Sequence, residues 1–451
     1  MAGHDEVFWN EQSRSKTRID VLMRPFRLFL GFEASGGILL ILATLIALIW
    51  SNSPYANYYF ELWDTKFTIG FAGKFIDKPL LIWINDGLMA VFFFVVGLEI
   101  KREFLVGDLS SPRRAALPIA GAIGGMILPA AIYYAFSAGT AAEGGWGVPM
   151  ATDIAFALGI LTLLGNRVPV GLKIFLAALA IVDDLGAVLV IAFWYTSSLS
   201  MGNLALGAFF FFSLIFCNYM GVRNTLVYGI LGIGGLWLAF LLSGVHPTVA
   251  GVLAALCIPA RTRIDTNQYL LDSAEALEYF AEAGESGESV LTNKARQAAL
   301  FRQKQLSEEA SSPLQRLEKI LHPWAIYFVM PIFALSNAGV TITTSISEVF
   351  SYPSVPGIIV GLVVGKQVGV FGFSWIAVKL GIASLPQNSS WYGLYGVSCL
   401  AGIGFTMSLF IAGLAYSDAG LLAASKVAIL IASLFMGILG YAVLKFGKAR
   451  V

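Results

Sequence analysis

What most limits the fold of this chain is a succession of apolar runs of about 17–25 residues, the length that carries a helix across a bilayer. They fall at 28–50, 80–100, 116–136, 146–164, 172–196, 203–220, 224–242, 244–260, 322–338, 356–378, 391–416 and 421–446. That spacing predicts an all-α polytopic membrane protein with about twelve transmembrane helices, among which 244–260 is a short one. Composition agrees, since 57% of the residues are hydrophobic and only 13% charged, against about 25% charged in a soluble domain. A net charge of +1 gives no electrostatic case for a nucleic-acid partner. Cys217, Cys257 and Cys399 lie far apart in apolar runs, so they form neither a disulfide framework nor a metal-ligand spacing.

Basic residues set the expected orientation. Alternate connections carry Lys101, Arg102, Arg113 and Arg114, then Arg167, Arg223, Arg261 through Lys319, Lys379, and Lys445, Lys448 and Arg450. The opposite connections, near 137–145, 197–202, 243, 339–355 and 417–420, contain no Lys or Arg. Only 51–79 departs from the pattern, with Lys66, Lys74 and Lys78. Both termini are therefore expected in the cytoplasm. The N-terminus lacks a small-residue cleavage site at signal-peptide distance, so its first apolar run is expected to be a retained span. The organisation follows as a cytoplasmic tail 1–27, spans one to eight over 28–260, a cytoplasmic insertion 261–321, spans nine to twelve over 322–446, and a tail 447–451. The insertion reads as a partly ordered segment, with 269–280 suited to a short amphipathic helix. A regulatory or partner-binding element is the alternative.

Three carboxylates stand inside this apolar sequence. Asp153 follows Thr152 in the fourth run, and Asp183 and Asp184 are adjacent in the fifth. A carboxylate at the bilayer centre costs at least roughly 2.5–3.5 kcal/mol, so such residues usually mark an ion path or proton relay. Two runs are also interrupted. Pro149 with Thr152-Asp153 breaks the fourth, and Gly402-Ile403-Gly404-Phe405-Thr406-Met407-Ser408 breaks the eleventh. Each is the middle member of a triplet, spans three to five and ten to twelve. Two triplets of three spans would have opposite topology, so two inverted repeats with two discontinuous helices are expected. Broken helices expose N–H groups at one end and carbonyls at the other. Asp153 suits the first and Lys366, deep in the tenth run, suits the second. Gly357, Gly361, Gly365 and Gly369 recur every four residues around that lysine, a face that permits close helix approach.

The chain resembles the NhaA-type sodium/proton antiporters of bacterial inner membranes, a family whose inverted-repeat architecture is well described. The resemblance rests on Asn85-Asp86-Gly-Leu-Met-Ala-Val-Phe-Phe-Phe, Val-Gly-Leu-Glu99-Ile-Lys101-Arg102-Glu103, Ala-Thr152-Asp153-Ile-Ala-Phe-Ala-Leu-Gly and Asp183-Asp184-Leu-Gly-Ala. It continues through Ser-Gly-Val-His246-Pro-Thr-Val-Ala-Gly, Leu-His322-Pro-Trp, Asn337-Ala-Gly and Gly-Ile-Gly-Phe-Thr-Met-Ser. It implies exchange of sodium or lithium for protons by alternating access, with no cofactor and no enzymatic activity. It also implies a homodimer. Asp183 and Asp184 match the paired aspartates where cation and proton compete, with Asp153 and Thr152 beside them. Lys366 matches the lysine thought to pair with the first aspartate. Glu99, Arg102, Glu103 and Glu318 match a cytoplasmic pH-responsive cluster, and His246 a histidine linked to pH response. Gln367 stands where the family usually has proline, Lys319 where histidine is frequent, and the 261–312 insertion is longer than usual.

Other readings compete for the same residues. Lys366 could be only a structural partner of Asp183, Glu99 to Glu103 a solvated charged cap, and His246 a hydrogen-bonded packing residue. An intramembrane aspartyl protease needs two aspartates facing each other from different helices. The adjacent pair, the deep lysine and the absence of a Gly-x-Gly-Asp stretch fit that poorly. A passive cation channel needs no deep lysine and predicts flux without proton counter-movement.

Overall fold

The computed structural model describes residues 35–71, 74–196, 199–283, 289–341 and 346–447. The basic N-terminal tail lies outside them, as do the last four residues. Among the described residues, nine helices are long and apolar enough to cross a bilayer, or up to eleven if each of two bent pairs counts as one span. This is a mostly helical polytopic membrane protein.

In chain order, α1 (Ser35–Ser51) turns by 113° into α2 (Ala56–Asp64), and a hairpin follows of β1 (Lys66–Phe71) and β2 (Lys74–Pro79). Next come α3 (Leu80–Leu105), α4 (Pro112–Ser137), α5 (Glu143–Leu163), α6 (Val170–Trp194), α7 (Met201–Tyr219) and α8 (Thr225–Ser243). The short α9 (Pro247–Cys257) has 11 residues, about 16 Å of helix, against a hydrocarbon core of about 30 Å. Two helices of the insertion, α10 (Thr266–Glu282) and α11 (Lys294–Ala310), precede α12 (Pro313–Asn337) and α13 (Ser354–Lys379). The chain closes with α14 (Trp391–Leu400), bent by 44° against α15 (Phe405–Ala415), and α16 (Ala419–Phe446).

The antiparallel hairpin is the element that hydropathy did not reveal. Two lysines of the 51–79 connection are ion-paired there, Lys78 with Asp86 at 3.0 Å and Lys66 with Asp77 at 3.4 Å. The insertion is also more ordered than its composition suggests, because α10 and α11 pack against each other, burying Ala276, Ala299 and Leu306. The Arg223 guanidinium ties its two ends, donating to the Arg261 carbonyl at 2.8 Å and the Ser311 carbonyl at 2.9 Å. Burial, with the charges of Arg316 and Arg263 adding to it, pushes that guanidinium below its usual range. A capping box of Ser312 and Gln315 then starts α12.

The glycine stripe of α13 is used for close approach to α4. A Cβ on Gly369 would lie 2.2 Å from the Gly124 carbonyl oxygen, and one on Gly365 2.9 Å from Pro129 Cα. Both obstacles are backbone, which has no rotamer with which to yield. Gly369→Ala is therefore expected to force the two helices apart and lower the detergent-solubilised melting temperature, with an overpacking cost of about 1–3 kcal/mol. Gly372→Ala, where nothing lies within 4 Å, is the matched control and should leave melting unchanged.

Candidate functional site

α6 carries Asp183 and Asp184 near its middle, 1% and 2% exposed, and α13 brings in Lys366, fully buried. Lys366 ends a π-turn, Gly361–Lys366, a local widening that often occurs at functional positions. Its ammonium donates to Asp183 Oδ2 at 2.5 Å and also to the Met150 carbonyl. That carbonyl ends the tight turns of Glu143–Met150, the first half of α5. The lysine thus answers a carboxylate and a helix's negative end together.

The second half of α5 begins at Ile154 with Asp153 as its N-cap. Asp153 Oδ1 accepts from the Phe156 N–H at 3.0 Å. Its Oδ2 accepts from the Thr406 N–H at 3.2 Å and from the Thr406 hydroxyl. Thr406 lies in the first turn of α15, so one carboxylate meets the positive ends of two broken helices. The carbonyl ends are met in turn. Thr152 Oγ1 donates to Ala401 O at 2.8 Å, Asp153 N–H to Ile403 O at 2.7 Å, and Ser408 Oγ to Val148 O at 2.7 Å. These bonds satisfy backbone groups that have no water to turn to.

Against that background of satisfied groups, two atoms differ. Asp183 Oδ1 and Asp184 Oδ1 are buried and have no hydrogen-bond partner among the described residues. Leaving such an atom unmet costs about 1–3 kcal/mol, more for a charged group. Asp184 also lies within electrostatic reach of Asp183, Asp153 and Glu99. A hard cation or a proton is what such oxygens can take.

Glu99, Arg102, Glu103 and Glu318 come together around one cavity of about 330 Å³. Arg102 bridges Glu318 and Glu103, the latter at 3.0 Å. Glu99 Oε1 stands 3.4 Å from His322 Nε2. The cavity is also lined by Ile154, which follows Asp153 in sequence, and by Ile181, two residues before Asp183; neither aspartate lines it. His246 does not join them. It N-caps α9, whose other end is held by Lys101 donating to Leu256 O and Ile258 O. His246 instead faces Asp86 at 3.6 Å, hydrogen-bonds Thr248 at 2.7 Å, and sets its ring against Phe410.

Thr406 and His322 are residues that sequence reasoning named only as parts of motifs. Their partners, Asp153 and Glu99, are 253 and 223 positions away, and only the fold makes them neighbours. Thr406→Val keeps the side-chain shape but removes the hydroxyl donor to Asp153. The expected cost is about 1.5–3 kcal/mol, as for hydrogen bonds to charged groups, read as a lower melting temperature, and Thr406→Ser should recover most of it.

Residues 27–444 match the model of the family described as Na+/H+ antiporter 1. The chain belongs to this family. It is 52% identical over 427 residues to the Na(+)/H(+) antiporter NhaA of Oleidesulfovibrio alaskensis, with 95% of each chain covered. It is 45% identical over 434 residues to Na(+)/H(+) antiporter NhaA 2 of Syntrophotalea carbinolica, covering 96% of this chain and 99% of that one. The Na(+)/H(+) antiporter NhaA of Rhodospirillum rubrum is 46% identical over 426 residues, covering 93% and 96%. As a member of this antiporter family the chain is a secondary transporter and not an enzyme.

Proposed function

We propose that the protein exchanges sodium or lithium for protons at Asp183 and Asp184 by alternating access, in the inner membrane of a bacterium. The observation that carries this reading is the pair of buried, unpartnered carboxylate oxygens beside a lysine already engaged with Asp183. With no cation bound, Lys366 neutralises Asp183. An arriving sodium ion competes with the lysine for Asp183 and with a proton for Asp184, so cation and proton exclude each other. An empty, deprotonated site holds uncompensated charge in a low-dielectric setting, which disfavours its crossing the membrane. Exchange follows from that restriction alone.

The broken α5 and the bent α14–α15 pair are the middle members of α4–α6 and α13–α16, which supports two inverted repeats rocking about Asp153. Twelve crossings follow if α9 and the first apolar run each contribute one. The Lys and Arg distribution supports cytoplasmic termini, which makes the cavity at Glu99 and Glu318 the cytoplasmic approach and its paired charges a pH-responsive cluster. His246 belongs on the opposite face, with Asp86. A homodimer is supported by the hairpin, whose Phe67, Ile69 and Phe75 side chains are exposed apolar groups on a short two-stranded sheet.

The test is proton flux in everted vesicles holding an acid interior. Sodium or lithium should discharge the gradient and potassium should not. Sodium movement without any proton response would replace exchange with channel-like conduction.

A further inference from the structure

Behind Lys366 lies a polar contact that the transport reading does not use. Gln367 opens the regular helix that follows the π-turn. Its side chain is only 9% exposed and folds back, so that Nε2 donates to the Val363 carbonyl. Its Oε1 accepts the Cys399 thiol at 3.3 Å. Cys399 is fully buried near the end of α14, and two residues on, the Ala401 carbonyl takes the Thr152 hydroxyl. Two residues before Thr152, the Met150 carbonyl takes Lys366. The contacts therefore close a ring through Lys366, Gln367, Cys399, Ala401, Thr152 and Met150. No step along the chain between successive members exceeds two residues.

We infer that Gln367 and Cys399 form a clasp that orients Lys366 on Asp183, making Gln367 a positioning residue for cation competition. The physical reason is local. The π-turn departs from the regular α winding, and Lys366 sits at its last residue. Holding the Val363 carbonyl from one side and α14 from the other fixes that winding, and with it the direction of the lysine. Both polar ends of Gln367 are satisfied in this arrangement.

The inference rests on the proposal that Lys366 competes with the transported cation for Asp183, and it predicts the sign of an effect. A loosened lysine competes less well, so the apparent KM for sodium should fall. A merely structural loss would leave KM unchanged or raise it. The experiment is sodium-dependent proton flux in everted vesicles for the full chain, Gln367→Leu, Cys399→Ala, Cys399→Ser and the double variant Gln367→Leu/Cys399→Ala. Gln367→Leu is expected to lower KM about fivefold, the equivalent of one net hydrogen bond, without raising the maximal rate. Cys399→Ala should lower it less, Cys399→Ser should match the parent because a donor remains, and the double variant should not exceed Gln367→Leu. An unchanged or raised KM in both Gln367→Leu and Cys399→Ala overturns the clasp. If Gln367→Leu does not reach the membrane, the alanine and serine variants of Cys399 decide by themselves, and equal KM values for the two count against it. Failure of the parent chain to couple sodium to protons would instead remove the transport reading beneath it.

Discussion

Asp184→Asn is expected to abolish sodium-dependent proton movement while leaving the protein folded and as stable as the parent. The side chain is 2% exposed and its Oδ1 has no hydrogen-bond partner among the described residues. Asparagine keeps the volume and removes the charge, so the folded state loses an unfavourable buried ion and no ion-pair partner is orphaned. Activity and stability should therefore separate. Vesicle proton flux should vanish, and the melting temperature of the purified protein should stay level or rise. Retained exchange in this variant would show that Asp184 is not a shared site for cation and proton.

Lys366→Ala should behave in the opposite way, with stability falling sharply. The lysine and Asp183 form an ion pair with both side chains fully buried. Removing one partner of such a pair leaves the other charge uncompensated, at about 3–5 kcal/mol. The loss should be largely recovered by adding Asp183→Asn, because the double variant strands no charge. Melting temperatures of the two single variants and the double variant form the cycle that measures this coupling. A double variant no more stable than Lys366→Ala would mean that the lysine matters for its contact with Met150 and not for its pairing with Asp183. Transport should not return in the double variant, since the aspartate is gone.

Much of this arrangement can be read in the sequence because hydrocarbon penalises polar residues so strongly. Asp183, Asp184, Asp153 and Lys366 stand out from apolar runs by chemistry alone, and Pro149 and Gly402 to Gly404 mark the breaks. What the sequence conceals is pairing across long separations. Nothing local says that Asp153 caps the helix of Thr406 as well as its own. Hydropathy cannot distinguish a shared cap from two separate ones. The hairpin was concealed for a different reason. β1, Lys-Phe-Thr-Ile-Gly-Phe, alternates over only six residues and β2, Lys-Phe-Ile-Asp-Lys-Pro, does not alternate, so neither separates from a loop, and the hairpin's stability comes from pairing between strands. In the insertion, a composition rich in Glu, Ser and Ala suits a solvated helix as readily as a disordered segment; the helix expected over 269–280 lies within α10, and the seam of Ala276, Ala299 and Leu306 packs it against α11.

The way the insertion is attached bears on how this transporter can be handled in the laboratory. Its base is stapled by Arg223, by the Arg263 N–H donating to Glu309 O at 2.9 Å, and by the Leu314 N–H donating to Pro259 O at 3.1 Å. It then passes through a capping box directly into the helix that carries Glu318 and His322. An antibody fragment gripping α10 and α11 would therefore hold a rigid extension of α12 rather than a tethered appendage. It would serve as an orientation marker for imaging a small membrane protein. The same helix lines the cavity at Glu99 and Arg102 through Glu318 and His322, so the marker would also report the placement of that charged group.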